Sequence, residues 1–161
     1  MQNRKMTPHR VKWVFSALAF GMAPWYVAPA CAALGGDAAS VASDAVALHG
    51  VMHATPLQQY DIHEITSDNG MRLREFLSRS GVVFAVTWSG PAVPDLQKLL
   101  GTSYPTYTAA VAAEGHRGLK RSLRIATPDL VVESDGHMRA FSGRAYLPAL
   151  IPSGTSVADL R

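Results

Sequence analysis

The sequence predicts an α+β domain: an antiparallel β-sheet built from hairpins, with two short helices packed on one face. Three observations carry that expectation. Val82–Trp88 is apolar and β-branched on both faces, as a strand buried between two layers should be. Ser67-Asp68-Asn69-Gly70 and Arg79-Ser80-Gly81 punctuate the chain on either side of Met71–Leu77, and Asn-Gly accepts the positive φ angles of a tight hairpin. No strand–helix–strand alternation of the kind that builds a parallel nucleotide-binding sheet is present.

The elements follow in order. Residues 37–56 are rich in Ala, Ser and Val, with Val41, Ala45, Leu48 and Met52 at helical spacing. A short amphipathic helix and a linker both fit this stretch, and Gly50 and Pro56 would end a helix in it. Gln59–Ile65 reads as a strand. Met71–Leu77 returns from it, with Arg72 and Arg74 on one face and Met71 and Leu73 on the other. After the central strand, Ser89-Gly90-Pro91 forces a stop. Pro94 suits the first turn of a helix carrying Leu96, Leu99 and Leu100, which Gly101 terminates. Ser103 or Thr106 can cap a second helix that runs through Ala109–Ala113 to Gly115. Asp129–Glu133 is a strand, Ser134-Asp135-Gly136 turns it, and His137–Tyr146 comes back. Pro148, Pro152 and Gly154 make the tail irregular.

A length of 161 residues suits one domain, and 48% hydrophobic against 17% charged residues is enough for a core. The single cysteine, Cys31, excludes an intrachain disulfide and a cysteine-rich metal site. The net charge of +3 is unevenly placed. Arg4, Lys5, Arg10 and Lys12 lie in the first twelve positions, and the first acid is Asp37. Removing those four from the 15 basic residues leaves 11 against 12 acids, so the remainder has no electrostatic case for nucleic acid.

That N-terminus has the three parts of an export signal: the basic start, an apolar centre over Trp13–Ala23, and the small-x-small sequence Ala30-Cys31-Ala32. Cleavage after Ala32 makes 1–32 the signal peptide and Ala33 the new N-terminus, leaves 33–56 as linker or short helix, and leaves 57–161 as the domain. Gly21, Pro24 and Pro29 interrupt the run of about 20 apolar residues that an anchor wants, so no stable membrane span is expected after cleavage. Acylation at Cys31 is disfavoured by Pro29 in the lead-in.

Two blocks then carry a resemblance. One is Arg74-Glu75-Phe76 leading into Val83–Pro91, Pro94-Asp95-Leu96 and Leu99-Leu100-Gly101. The other runs from Asp129-Leu130-Val131-Val132 through Gly136–Arg139 to Gly143-Arg144-Ala145-Tyr146. With the Ala33-Leu34-Gly35-Gly36 start, the chain resembles an exported proteobacterial family of uncharacterised proteins, domain of unknown function 2844. The resemblance implies a Gram-negative periplasmic destination. It implies no activity, cofactor or catalytic residue.

The remaining polar residues offer few constellations with chemistry. His49 and His53 are four apart, a spacing that metal sites use on a helix, and Met52 lies beside them; Gly50 interrupts the helix and no third ligand is evident. Ser89 ends the central strand but has Thr87 where a nucleophile elbow needs glycine. His137 with Asp129 or Asp135 completes no recognisable triad. Glu64, Glu75 and Glu133 sit in strands near arginines and read as surface ion-pair partners.

Arg117, Lys120, Arg121 and Arg124 form one stripe if helical, which Arg139 and Arg144 on the next hairpin could extend. Such a stripe attracts phosphate or carboxylate groups. Among Tyr60, Trp88, Tyr104, Tyr107 and Tyr146, the pair Tyr104 and Tyr107 offers exposed aromatics, while Trp88 and Phe84 share a face and belong to the core. The expectation is therefore a non-enzymatic periplasmic accessory or binding protein for an envelope partner protein or anionic polymer, with no cofactor. A small-ligand or metal-binding domain comes second and an envelope hydrolase third.

Overall fold

In the computed structural model, Val83–Gly90 (β4) is the strand around which the rest is assembled, and the structure describes residues 34–115 and 122–160. The expected signal peptide, with its expected cleavage residues Ala30, Ala32 and Ala33, lies outside them.

The chain enters with Leu34–Gly36 clasping the start of β4, Gly35 donating to the Val83 carbonyl and Val83 donating to that of Gly36. Helix α1 (Ala38–Ala47) starts where the Asp37 carboxylate accepts the Ser40 N–H at 3.0 Å. It ends at His49, whose φ is +49°, and Gly50. The open question over 33–56 thus resolves into a helix followed directly by a strand, β1 (Val51–Pro56). Then come β2 (Tyr60–Thr66) and β3 (Arg72–Ser78), joined by the expected turn. There the Asn69 Oδ1 accepts from the Ser67 hydroxyl and the Met71 N–H, and Gly70 has a φ of +83°.

Helix α2 (Leu96–Leu100) is capped by Asp95, which accepts from the N–H groups of Gln97 and Lys98. Gly101–Ser103 leads into α3 (Tyr104–Ala113), where Ser103 occupies the capping position without a side-chain hydrogen bond. The chain returns through β5 (Ser122–Ala126), β6 (Val131–His137) and β7 (Ala140–Tyr146).

Among the described residues, seven strands make one antiparallel sheet in the order β1-β2-β3-β4-β7-β6-β5. Leu34 and the helices cover one face: Val41, Leu99 and Leu100 are buried there against Ile65, Leu73, Val86, Trp88 and Val132. A smaller cluster lies on the opposite face, where Tyr60, Phe76, Phe84 and Tyr146 are covered by the tail residues Ile151, Val157 and Leu160. Phe84 and Trp88 therefore do not share a face. A register shift sets Leu77 opposite Val83 but Phe76 opposite Ala85, so Phe84 is an extra residue that turns the pleat over.

The last hairpin also differs from expectation. Ser134, Asp135 and Gly136 continue β6, and the turn is Met138-Arg139, with Arg139 at φ +65°. Gly136 faces Phe141 instead of turning the chain, and a Cβ on it would lie 2.3 Å from the Phe141 ring.

Candidate binding site

Because successive side chains on a strand point to opposite faces, the register decides which polar residues meet. One row crosses six strands: Glu64 on β2, Arg74 on β3, Thr87 on β4, Arg144 on β7, Glu133 on β6 and Arg124 on β5. Two residues along each strand runs a parallel row of Arg72, Ser89, Ser142, Asp135 and Ser122. Both rows lie on the face away from the helices, beside the cluster under the tail. All of these residues except Glu64 line an open cavity of about 510 Å³, and Leu160 of the tail forms part of its wall.

The charges are arranged as two triads. Glu64 takes Arg74 Nε on one oxygen and Arg72 Nε, at 3.5 Å, on the other. Glu133 takes Arg144 through Nε and Nη2, both at 2.7 Å, and Arg124 through Nε at 3.1 Å. Arg144 also donates from Nη1 to the Val157 carbonyl at 2.9 Å, tying the tail to the site. Its guanidinium carbon lies 6.0 Å from the centre of the Tyr146 ring. Between the triads stand the Thr87, Ser89 and Ser142 positions of β4 and β7. This pairing of strands is fixed by a close approach on the other face, where Trp88 lies over Gly143 and a Cβ there would meet the indole at 2.2 Å.

Such a surface holds fixed positive charge and presents hydroxyl and carboxylate groups around it. Guanidinium groups stay charged at any relevant pH, so the arrangement suits binding an anion more than moving a proton.

The structure gathers some of the sequence candidates and scatters others. Arg124 and Arg144 meet through Glu133. Arg124 is on a strand, so the helical stripe does not include it; Arg117, Lys120 and Arg121 lie outside the described residues. Arg139 sits at the hairpin tip and does not line the cavity. Tyr104 and Tyr107 are half-buried on α3, rings 6.1 Å apart, packed on the helix-side core and remote from the arginine face. His49 terminates α1 while His53 lies within β1, so they share no helix face. Among the described residues no group of three or more His, Cys, Asp or Glu side chains is placed to hold a metal. His137 pairs with Ala140 beside the hairpin turn, away from Ser89.

Arg72 and Arg74 share a face as expected, and they join the site although the sequence does not single them out. The signal that marks them is the period-two spacing shared by Ser122/Arg124, Glu133/Asp135 and Ser142/Arg144. Glu64 and Glu133 are ion-paired as expected, whereas Glu75 is not. It lies fully buried under the helices, opposite His63 in register, and both carboxyl oxygens lack a hydrogen-bond partner, as does His63 Nδ1. Burial, with a smaller contribution from Asp44 on α1, pushes the Glu75 carboxyl up to about 8.

Fold and site together define the class: a single-sheet α+β domain with helices on one face and an arginine-lined cavity on the other. Over residues 30–160 the chain matches the family described as protein of unknown function (DUF2844), and it belongs to that family. No curated protein and no solved structure matches it.

Proposed function

We propose that the protein is an exported, non-enzymatic binding protein whose open sheet face takes an anionic polymer of the cell envelope. The observation that carries this reading is that Arg72, Arg74, Arg124 and Arg144 all line one open cavity, with Thr87, Ser89 and Ser142 between them. Export rests on the tripartite N-terminus, and no helix among the described residues is long and apolar enough to cross a membrane. Calorimetry at low salt tests the ligand, with alginate as the anionic probe and dextran as the neutral one. Binding of alginate that is weakened about tenfold or more in Arg144→Ala supports the reading; equal binding of dextran, or none of either, overturns it. N-terminal sequencing of protein recovered from the envelope tests export, with Ala33 expected first and Met1 the contrary result.

A second reading, a protein partner, rests on β1. This edge strand is exposed at all six positions and carries no Lys, Asp or Glu to discourage another strand from pairing with it. Crosslinking in cells that captures a defined complex, lost in Ala54→Pro, would favour it.

A further inference from the structure

We infer that the ligand of the arginine face is an extended polyanion laid across the strands and gripped at two separate points; this rests on the binding reading above. Each glutamate gathers two guanidinium groups: Arg72–Glu64–Arg74 on one side, Arg124–Glu133–Arg144 on the other, with Asp135 beside the second. Four guanidinium groups thus stand with three carboxylates. A single strong anion site would have gathered these arginines around one point. Here they are divided, and the glutamates keep the two halves in place.

Within each triad the arginines differ. Arg74 and Arg144 are the more enclosed, with side chains 35% and 27% exposed, and they are held between strands. Arg72 and Arg124 are 55% and 70% exposed, and each meets its glutamate through Nε. The outward donors of those two guanidinium groups are the ones a ligand meets first, in the forked geometry that suits carboxylate or phosphate.

The spacing sets the ligand's reach. Arg72 on β3 and Arg124 on β5 are separated by β4, β7 and β6, four interstrand steps. At about 4.8 Å per step their backbones stand about 19 Å apart. A single sugar or amino acid reaches one triad and leaves the other unoccupied. A chain with repeated anions reaches both and lies over Thr87, Ser89 and Ser142 on the way. Hydroxyl side chains with the Asp135 carboxylate beside them supply donors and acceptors together. That lining gives partners to the hydroxyl groups of a polysaccharide, and Leu160 gives its ring faces an apolar wall.

The test is calorimetric titration of the protein purified from its host, using glucuronate, alginate, polyphosphate and polyglutamate as probes. The wild type, Arg72→Gln, Arg124→Gln and the double variant are compared, with thermal melts to verify that each remains folded. Two-point binding predicts that alginate binds about 100-fold more tightly than glucuronate, because the second contact is intramolecular. Each single variant should weaken alginate about tenfold and lower the slope of log K against log salt by about one. The double variant should bring alginate down to the affinity of glucuronate. Polyphosphate equal to or tighter than alginate supports the same grip and assigns the anion as phosphate.

Glucuronate binding as tightly as alginate would overturn the two-point grip and leave the binding reading standing. Single variants without effect on alginate would also overturn it. Polyglutamate binding tightest would replace the polysaccharide with an acidic peptide. A wild type that takes up none of the probes sinks the binding reading itself.

Discussion

On β3 the neighbours Leu73 and Arg74 part company: one enters the layer beneath the helices, the other joins the charged row on the far side. The same division repeats along β4, where Val86 and Trp88 are sealed in while Thr87 and Ser89 face the cavity. The helix face owes its stability to exclusion of water, so every atom there is accountable. The far face is split again, apolar under the tail and ionic beyond it. Stability and recognition thus occupy opposite sides of one backbone, and a change on one side need not disturb the other.

The sharpest way to break that contrast is at adjacent positions. Leu73→Ala should destabilise the fold by about 4 kcal/mol, read as a lower urea midpoint with unchanged slope. Arg74→Ala should cost about 0.5 kcal/mol and weaken alginate about tenfold. If the two variants unfold at the same urea concentration, the division of labour is wrong.

Glu75 is where the helix face violates its own rule. In the unfolded chain its carboxyl ionises near 4.5; in the fold it keeps its proton until about 8. The folded form therefore binds more protons between those values. Its contribution to stability is full below pH 4.5 and falls as pH rises to about 8, by on the order of 5 kcal/mol. Glu75→Gln should flatten that decline and raise the melting temperature at pH 8. A decline as steep in the variant as in the wild type would remove Glu75 as the cause.

Arg144 joins the two halves of the far face. Arg144→Ala should cost about 1–2 kcal/mol, since it removes both bonds to Glu133 and the bond to the Val157 carbonyl. It should also raise hydrogen exchange at Val157–Leu160. Unaltered exchange there would show that the tail is held by Ile151, Val157 and Leu160 alone. The smallest effect is expected off both faces: Arg139→Gly relieves the positive φ at the hairpin tip, gaining about 0.5 kcal/mol without changing alginate affinity. A drop in affinity would return Arg139 to the site.

Much of this division can be read from the chain and some of it cannot. β4 announces itself because a run of Val and Phe without charge admits little else, and Asn69-Gly70 fixes the turn before β3. β1 is exposed on both faces, so it has no alternation to detect, and the helical spacing of Val41 to Met52 runs straight into it. β5 alternates Leu123 and Ile125 with Arg124, but Arg117, Lys120, Arg121 and Arg124 also fit a helical period, and two patterns on the same residues compete. Gly136 resembles a turn residue, yet its lack of a side chain makes room for the Phe141 ring. That misplacement hides the site, because only a hairpin turning at Met138-Arg139 brings Glu133 opposite Arg144. The arginine row depends on register between distant strands, which no local pattern records.

The strand order has a consequence for how the molecule is made. β7, the last strand in the chain, lies in the middle of the sheet, pairing Tyr146 with Ala85 on one side and Val131 on the other. Until it arrives, β4 keeps a bare apolar edge and the meander from β1 to β4 has no partner. Long-range pairings of this sort close slowly, because the loop between them must first be gathered. A ribosome delivering the N-terminus first therefore holds an open chain until the final hairpin emerges. That interval is when a holding chaperone or a narrow pore can take the polypeptide, and also when β4 is most exposed to pairing with the wrong neighbour.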